Sequence, residues 1–555
     1  MIPFESLRKP HAVILVEISR GGLMKANPNR FWFTVILLGW AFDFLFWKKP
    51  AGVNFFIYVA LCLVTGIFLL NADGLRLTSR SSLLLLPIIF LSAMTFFRQE
   101  PLTVFLSVSM TIFLMGVFAI TYLGGQWTRF GLIDYFFGYL TLIGSMIARP
   151  LGFAAEVRRD QPSVSEKRSS SVLPVLRGIV IALPVIAIFA SLLSSADPIF
   201  ADRFKKFTDL FKIDNLPEYI FRLVYILIFA YAIAGIFLHA AQKSNDQVEE
   251  KPRFTPFLGF TESTIVLGSI VILFTAFVAI QFQYFFGGQA NIHIEGYTYA
   301  EYARKGFGEL VAVAFFSLLL LLGLGAITRR DTESQRRTFS ALGVGLVGLV
   351  LVMLISAFQR LVLYETAYGF SRLRTYTHVF MIWLALLLVT VVVLEIMRHE
   401  RVAGLAMILA SLGFIVSLTL LNIDAFIVEK NVQRELRAPA DKSLTQGRVD
   451  LDTQYFLDLS DDAVPALASA FQNKALPVAV REKVGAALFC KRYERQQNED
   501  KIPWQSFHFS RFTADQIFTN IKKGLDAYTV TDTNWPMKIE TPSGEEFSCY
   551  QYYED

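Results

Sequence analysis

Twelve apolar windows, each long enough to cross a bilayer as a helix, follow one another along the first 425 residues. In lipid every backbone amide must be bonded within the segment, so each window is predicted to be helical. The windows lie at 31–47, 53–70, 81–97, 102–123, 131–147, 178–195, 218–241, 259–283, 308–327, 339–360, 378–397 and 402–423. The sequence therefore predicts an all-α polytopic membrane protein with 11–12 transmembrane helices and a small, mainly helical C-terminal soluble domain.

Composition supports this class and excludes others. At 54% hydrophobic and 18% charged residues, the 555-residue chain is too apolar for disorder and too long for one soluble core. We expect a polar N-terminal segment at 1–30, a transmembrane domain at 31–425 with a basic polar loop at 148–177, and a soluble domain at 426–555. The lipid bilayer is the expected partner of the transmembrane domain.

The net charge of +5 divides into +9 for residues 1–425 and −4 for residues 426–555. This split favours contact of the basic membrane body with anionic lipid headgroups. It gives no support for nucleic-acid binding, which needs a clustered basic domain. A protein partner bound through residues 426–555 remains open.

The number of crossings is open between eleven and twelve. Twelve crossings distribute Lys and Arg almost evenly between the two sides of the membrane. If the window 131–147 does not cross, the basic loop after it joins the inner side and a positive-inside bias appears. We therefore predict eleven crossings, with the N-terminus inside and the C-terminal domain outside.

Two carboxylates lie within apolar windows. Asp43 falls well inside the first window and Asp134 near the start of the fifth. A carboxylate in the hydrocarbon core costs about 2.5–3.5 kcal/mol on insertion scales, so it usually faces protein or water. Each is either part of a proton or ion relay, or a hydrogen-bonding group between helices or at the interface.

A polar aromatic segment precedes the ninth window. Glu301 completes a capping box with Thr298, and Tyr302 belongs to an aromatic stripe that begins at Tyr299 on the helix that this box predicts. Glu301 can pair with Arg304. The segment is either an interfacial helix with tyrosines at headgroup depth, or the mouth of a cavity lined by Glu301 and Arg304.

A second polar segment follows the tenth window. On a helix, Tyr364 and Glu365 share a face, with Arg360 one turn above, and Arg372 follows the helix. The charges either neutralise each other at the membrane boundary, or Arg372 binds an anionic headgroup or a substrate carboxylate.

Cysteine and metal chemistry is sparsely represented. Cys490 and Cys549 could pair as a disulfide if the C-terminal domain lies outside, and would be free thiols if it lies inside. The sequence has no C-x-x-C or H-E-x-x-H spacing, so no metal site is predicted. Residues 343–348 match G-x-G-x-x-G but lie within an apolar window, so we expect close helix packing and no cofactor.

Several motifs together resemble a known family. These are Tyr299-Ala300-Glu301-Tyr302-Ala303-Arg304, Leu363-Tyr364-Glu365-Thr366-Ala367-Tyr368-Gly369, Arg372-Leu373-Arg374, Asn422 with Asp424, and Leu459-Ser460-Asp461-Asp462-Ala463-Val464-Pro465. They resemble the bacterial membrane family known as domain of unknown function 4173, which is related to the one numbered 4153. Ile423 stands where that family has Pro. The resemblance implies a protein of the bacterial cytoplasmic membrane with no assigned activity and no known catalytic residues.

Three functions remain open at this stage. The first is a transporter-like scaffold whose cavity is lined by Gln281, Glu301, Arg304, Glu309, Arg360, Glu365 and Arg372. The second is a membrane-anchored sensor or assembly partner that acts through residues 426–555. The third is an enzyme acting on lipid or envelope precursors, although no nucleophile and base can be identified.

Overall fold

The structure is a computed structural model of the chain. It describes residues 27–160, 216–242, 256–285, 307–437, 451–498 and 502–550, together with isolated positions between 182 and 204. The predicted polar segment 1–30 thus lies almost wholly outside the described residues, as does most of the window 178–195.

The described part of residues 28–421 is almost entirely helical. The helices are α1 Pro28–Phe46, α2 Val53–Ala72, α3 Ser79–Ser82, α4 Leu85–Phe97, α5 Pro101–Thr121, α6 Leu132–Asp160, α7 Leu216–Ala240, α8 Phe260–Phe285, α9 Phe307–Ile327, α10 Glu333–Tyr368, α11 Arg372–Ile396 and α12 Ala403–Leu421. Eleven of the twelve predicted windows coincide with them. Ten candidate spans among the described residues are long and apolar enough to cross a membrane, which confirms the polytopic helical class.

The predicted loop 148–177 begins later than expected. Helix α6 continues through Pro150 to Asp160, so the first thirteen positions of the predicted loop, 148–160, are helical. The reason is local: residues 151–157 read LGFAAEV and are mostly good helix formers. The remainder, 161–177, lies outside the described residues.

The chain divides into two compact units. The first consists of Met1–Trp47, Thr65–Leu75 and Ile143–Ala241, and the second of Lys48–Val64, Arg76–Leu142 and Gln242–Asp555. In the first unit α1 packs along α7, and the absence of a side chain at Gly39 allows the close approach: a Cβ there would lie 2.5 Å from the Ile226 carbonyl oxygen. Phe42 stacks on Phe229 at 4.0 Å between ring centroids.

In the second unit, helices α8 to α11 share one apolar core. Its fully buried members include Leu267, Phe339, Leu346, Met353 and Leu388. Helix α10 is 36 residues long and begins with a capping box in which the Thr332 hydroxyl accepts from the Gln335 amide. It ends at Gly369, whose φ of 84° is a conformation that few other residues adopt easily.

The loops of the second unit form two sets at opposite ends of its helices. Residues 48–52, 98–100, 369–371 and 422, here called the domain-side loops, contact the C-terminal domain. Residues 76–80, 122–131, 328–332 and 397–402 are the far-side loops. Trp127 Nε1 donates to the Arg80 carbonyl, and the turn at 126–129 contacts residues 400–402. Helix α11 joins the two sets, and its 25 residues span about 37 Å.

The C-terminal domain begins with α13 Ile423–Leu436. It continues with α14 Tyr455–Asp458, a 3₁₀ turn Asp461–Ala463, α15 Val464–Gln472, α16 Val478–Asn498, a 3₁₀ turn Trp504–Ser506, α17 Phe509–Asn520 and α18 Lys522–Leu525. Its core is centred on the fully buried Phe456, Leu467 and Leu488, and is continuous with Leu418 of α12. The domain is thus built onto the ends of the transmembrane helices, without a linker after α12.

A small antiparallel sheet completes the domain. Its strands are β1 Thr529–Asp532, β2 Lys538–Glu540 and β3 Glu546–Ser548, in the order β1-β2-β3. Cys549, directly after β3, is joined by a disulfide to Cys490 of α16, with 5.4 Å between the Cα atoms. The pairing for which the sequence left two alternatives is therefore present in the structure.

Candidate functional site

Part of the predicted transport cavity cannot be placed, since Glu301, Tyr302 and Arg304 lie outside the described residues. Gln281 is half-buried on α8, and Glu309 is exposed in the first turn of α9.

The charges of the second polar segment are placed at the domain-side end of α10. Glu365 is buried, and its Oε1 lies 3.2 Å from Nδ1 of His378 on α11. Tyr364 lies under the guanidinium of Arg374, 4.1 Å from the ring centroid. Arg360 is also buried, one turn earlier on α10. The contacts Glu365–His378 and Tyr364–Arg374 join α10 to α11, and neutralisation of charge at this end of α10 stays a prediction.

Arg372 forms a two-point ion pair with Asp424. Its Nε and Nη2 donate to the two carboxylate oxygens at 2.7 and 2.6 Å, and Asp424 is completely buried. The Arg372 amide donates to the Tyr455 hydroxyl at 2.9 Å. Arg372 therefore connects α11 to the C-terminal domain, with its fork occupied by an internal carboxylate.

The two intramembrane carboxylates have different surroundings. Asp43 is buried and accepts from Arg222 through both oxygens, with Nε at 3.0 Å. Glu218, one turn before Arg222 on α7, accepts from Trp47 Nε1 at 2.7 Å. Asp134 accepts from the Gly131 amide at 2.9 Å and thereby helps to satisfy the start of α6.

A buried carboxylate that was not predicted as a site holds the C-terminal domain on the bundle. Asp462 Oδ2 accepts from the amides of Gln99 and Glu100 at 2.7 and 3.1 Å, at the start of α5. The Ser510 hydroxyl oxygen lies within hydrogen-bond distance of both Asp462 Oδ1 and the Phe97 carbonyl oxygen, the latter at 2.7 Å. One carboxylate thus links α4, α5 and α17.

Glu100 extends this network into the bundle. Its carboxylate caps α5 by accepting from the Leu102 and Thr103 amides at 2.9 and 2.7 Å. The same carboxylate accepts from the Tyr376 hydroxyl of α11. Glu100 and Asp462 together accept from amides at the buried start of α5, which have no acceptor within the helix.

A second attachment lies at the loop between α1 and α2. Ser506 Oγ donates to the Pro50 carbonyl at 2.9 Å, and His508 Nε2 lies 2.7 Å from the Ala51 carbonyl. Burial lowers the pKa of His508, which favours the neutral ring whose Nε2–H donates to that carbonyl. The Val53 amide donates to the Phe507 carbonyl at 3.0 Å. Each of residues 506–508 therefore forms a hydrogen bond with the backbone of residues 50–53.

A cavity of about 1070 Å³ opens beside these two attachments. Its wall is formed by the last turns of α16, the 3₁₀ turn at Trp504–Ser506, α17 and the domain-side residue Gln99. The charged side chains that line it are Asp461, Lys491, Arg492, Glu494, Arg495, Arg511, Asp515, Lys522 and Asp526, and the aromatic ones are Trp504, Phe507, Phe512 and Phe518. Small-molecule sites in proteins are concavities of about 300–1,000 Å³, a size that this cavity reaches, although its lining is more highly charged than is usual.

Arg495 organises the polar wall of the cavity. Its Nη1 donates to Asp461, and its Nε and Nη2 donate to Asp515 at 3.0 and 2.6 Å. Deeper in the wall, Lys491 Nζ donates to the carbonyls of Leu457 and Leu459. Burial lowers the pKa of Lys491, because desolvation disfavours its ammonium form.

The sequence signals for this site were weak. The family resemblance alone drew attention to residues 459–465. No sequence motif indicated Lys491, Trp504 or Arg511 as site residues. The one usable signal is aromatic spacing: four aromatic residues lie within nine positions that run into the first turn of an amphipathic helix, namely Trp504, Phe507, Phe509 and Phe512. No group of three or more His, Cys, Asp or Glu within the described ranges could hold a metal ion.

Comparison with known proteins identifies a family. The model of the family described as Domain of unknown function (DUF4153) matches residues 85–470, which is more than half of the chain. The matched region includes α4 to α13, Asp424 and Asp462. No curated protein and no solved structure matches the chain. The protein is therefore a multi-pass membrane protein that belongs to the DUF4153 family.

Proposed function

We propose that the protein is a membrane-anchored receptor whose C-terminal domain binds a ligand in the cavity beside Arg495. The supporting observation is that some residues both line the cavity and attach the C-terminal domain to the helix bundle. Ser460, Ser506 and His508 line the cavity, and Ser506 and His508 also hold the loop before α2. Ser460 donates from its hydroxyl to Asp462 at 3.3 Å. A ligand that moves this wall also acts on the ends of α4 and α5.

The charge distribution of the second unit supports an outward-facing C-terminal domain. The far-side loops and adjoining helix ends carry nine arginines: Arg76, Arg80, Arg129, Arg329, Arg330, Arg336, Arg337, Arg398 and Arg401. The domain-side loops and helix starts within the described residues carry five basic residues: Lys48, Lys49, Arg98, Arg372 and Arg374. Excess basic loops favour the cytoplasmic side, so the C-terminal domain is assigned to the opposite side.

The disulfide supports the same orientation. A bond between Cys490 and Cys549 forms and persists in an oxidising compartment such as the bacterial periplasm. We accordingly place the protein in the cytoplasmic membrane of a bacterium, with the cavity outside. Eleven crossings with the N-terminus inside agree with this arrangement and remain a prediction.

Complementation of a deletion strain tests the receptor proposal. The readout is the fitness profile of the strain across growth conditions, restored by full-length protein. We expect a chain that ends at residue 440 to insert into the membrane without restoring fitness. Arg495→Gln should also fail while accumulating to normal levels, because the cavity wall then lacks its central cation. Full restoration by the shortened chain would overturn the proposal.

A transport function is the second candidate and rests on one observation in the first unit. The buried Asp43 is paired with Arg222 between α1 and α7, and a paired intramembrane charge can mark an ion or substrate path. If transport is the function, Asp43→Asn with Arg222→Gln should abolish fitness although the C-terminal domain is intact. Unchanged fitness of this double variant would leave the receptor as the better explanation. The enzyme alternative stays a prediction.

A further inference from the structure

The cavity lies at the level where the transmembrane helices end. One of its lining residues is Gln99, which lies in the short loop between the end of α4 at Phe97 and the start of α5 at Pro101. Phe97, the last residue of α4, packs on Phe509 with 5.4 Å between ring centroids. The rim of the cavity near α17 is therefore at the boundary between hydrocarbon and water.

Aromatic side chains are exposed on this part of the cavity. Trp504 is 59% exposed, Phe507 42% and Phe512 48%, although each is large and apolar. Phe507 and Phe512 lie 6.2 Å apart between centroids and form one continuous apolar wall. Aromatic residues concentrated at the ends of transmembrane helices are typical of the membrane interface.

The opposite wall presents cations to the same space. Among the lining carboxylates, Asp461 and Asp515 pair with Arg495, and Asp526 pairs with Arg492. Arg511 Nε stands 3.9 Å from Asp461, a carboxylate already bonded to Arg495. With Glu494 as the fourth carboxylate, the lining carries five Lys and Arg against four Asp and Glu. The charge best placed to attract an anion is that of Arg511.

Desolvation of the cations points in the same direction. Burial lowers the pKa of Arg511 and of Lys491, so each has lost hydration that its internal partners do not fully replace. An anion bound between them would restore that stabilisation through charge-assisted hydrogen bonds.

We propose that the cavity binds a membrane lipid with an anionic headgroup. Its phosphate or carboxylate contacts Arg511 and Lys491, and its chain lies along Trp504, Phe507 and Phe512 into the bilayer. This proposal rests on the receptor function proposed above and names the ligand class of the same cavity. A lipid accounts for both walls together. The cationic wall alone would also suit a soluble anion, but such an anion would leave the three exposed aromatic rings at the bilayer boundary uncovered.

Quenching of Trp504 tests the position of the chain. Full-length protein and the Trp504→Phe variant are each placed in two kinds of phosphatidylcholine nanodisc. In the first kind the brominated-chain lipid is phosphatidylglycerol, and in the second it is phosphatidylcholine. The difference between the two proteins isolates Trp504. We expect at least about twofold stronger quenching by brominated phosphatidylglycerol than by the brominated neutral lipid. Equal quenching by both would show general contact with lipid and would overturn the proposal.

Lipid retention tests the headgroup site. Native mass spectrometry of protein purified from membranes compares Arg511→Gln with Lys483→Gln, a cation of the same domain that pairs with Glu545 and does not line the cavity. We expect Arg511→Gln to retain anionic lipid at least about tenfold less, the equivalent of one charge-assisted hydrogen bond. Equal retention by the two variants would contradict the site. Since the quenching experiment leaves Arg511 unchanged, the proposal stays falsifiable if Arg511→Gln does not fold.

Competition separates a lipid from its soluble headgroup. Glycerol phosphate at the concentration of the lipid should displace little phosphatidylglycerol, and equal displacement would show that the chain contributes nothing. The receptor and lipid proposals also fail separately. Loss of fitness in Arg495→Gln without specific lipid binding refutes the lipid alone, whereas specific lipid binding with full restoration of fitness by Arg495→Gln refutes the receptor.

Discussion

Arg372 and Asp424 join the start of a transmembrane helix to the start of the first C-terminal helix by two parallel hydrogen bonds, at 2.7 and 2.6 Å. Asp424 Oδ2 also accepts from the Ser460 amide at 2.7 Å. Two residues after Ser460, Asp462 accepts hydrogen bonds from the amides at the start of α5. A short chain of polar groups therefore leads from α11 through the C-terminal domain to α5. Both carboxylates in it are almost fully buried.

Replacing Asp424 by Asn should destabilise the attachment of the C-terminal domain strongly. Arg372 would keep its charge in a site where only 21% of its side chain is exposed, with no carboxylate opposite. Removing one partner of a buried ion pair costs about 3–5 kcal/mol. Thermal unfolding in detergent, followed by domain-specific proteolysis, measures the loss.

Arg337→Gln is the matched control for this change. Arg337 pairs with Glu333 on the surface of α10, where its side chain is 81% exposed. A surface ion pair contributes about 0–1 kcal/mol, so the unfolding temperature should hardly change. Similar losses in Asp424→Asn and Arg337→Gln would contradict the structural role of the buried pair.

Asp462 should make the attachment dependent on pH. Burial raises the pKa of this carboxyl, with opposing contributions from Ser510, the Gln99 amide and Arg98. A carboxyl with a raised folded pKa contributes stability that is complete below its unfolded pKa of about 4 and is lost as pH rises through the folded value. The stability of wild type relative to Asp462→Asn should therefore fall as pH rises from about 4. A difference independent of pH would contradict this.

Asp462→Ala separates the hydrogen bonds from the charge. Asn keeps an oxygen for the amides of Gln99 and Glu100 and can donate to the Ser510 hydroxyl. Alanine leaves both buried amides without this acceptor, at about 1–3 kcal/mol for each. We expect Asp462→Ala to be less stable than Asp462→Asn at every pH, as measured by thermal unfolding.

The membrane part of the fold could be predicted from sequence because its signal is local. An apolar run such as 308–327 specifies a transmembrane helix by itself, and the structure has α9 at Phe307–Ile327. Helix starts in the soluble domain were less certain. Thr513 with Gln516 has the letters of a capping box, but α17 begins at Phe509, so Thr513 lies within the helix. Ser510, in its first turn, contacts the Phe97 carbonyl and Asp462.

The candidate site could be predicted only in part because its contacts are distant in sequence. Arg372 was identified as a charge at a helix end, but its partner lies 52 residues later and Asp462 contacts residues more than 360 positions earlier. The resemblance singled out residues 459–465 without giving them a role. A single sequence shows which polar groups must be satisfied at a membrane boundary, whereas the tertiary fold determines which groups satisfy them.

Loss of the disulfide should weaken the C-terminal domain. The bond between Cys490 and Cys549 closes a sequence separation of 59, and a closed loop of that length contributes about 4 kcal/mol in the chain-entropy description. Cys549→Ser should unfold at lower denaturant concentration, with release of the sheet that precedes it. Chemical unfolding followed by limited proteolysis measures the effect.

Cys62→Ser is the control, since Cys62 is a free cysteine on α2. It should unfold like wild type. A non-reduced digest of wild type should contain the peptides of Cys490 and Cys549 as one species. Labelling of Cys490 by a maleimide without prior reduction would contradict both the bond and the outward orientation.

A single methyl group at Gly52 should loosen the second attachment of the C-terminal domain. A Cβ there would lie 2.8 Å from the Ser506 carbonyl carbon, which is closer than such contacts occur, so the backbone must move. The movement breaks the bond from Val53 to Phe507, and we expect Gly52→Ala to increase proteolysis after Trp504. Gly348→Ala is the control, because a Cβ at that position on α10 meets nothing within 4 Å and alanine favours the helix. If Gly52→Ala is as resistant to protease as Gly348→Ala, the loop before α2 does not hold residues 506–508, and Asp462 with Arg372 must carry the attachment.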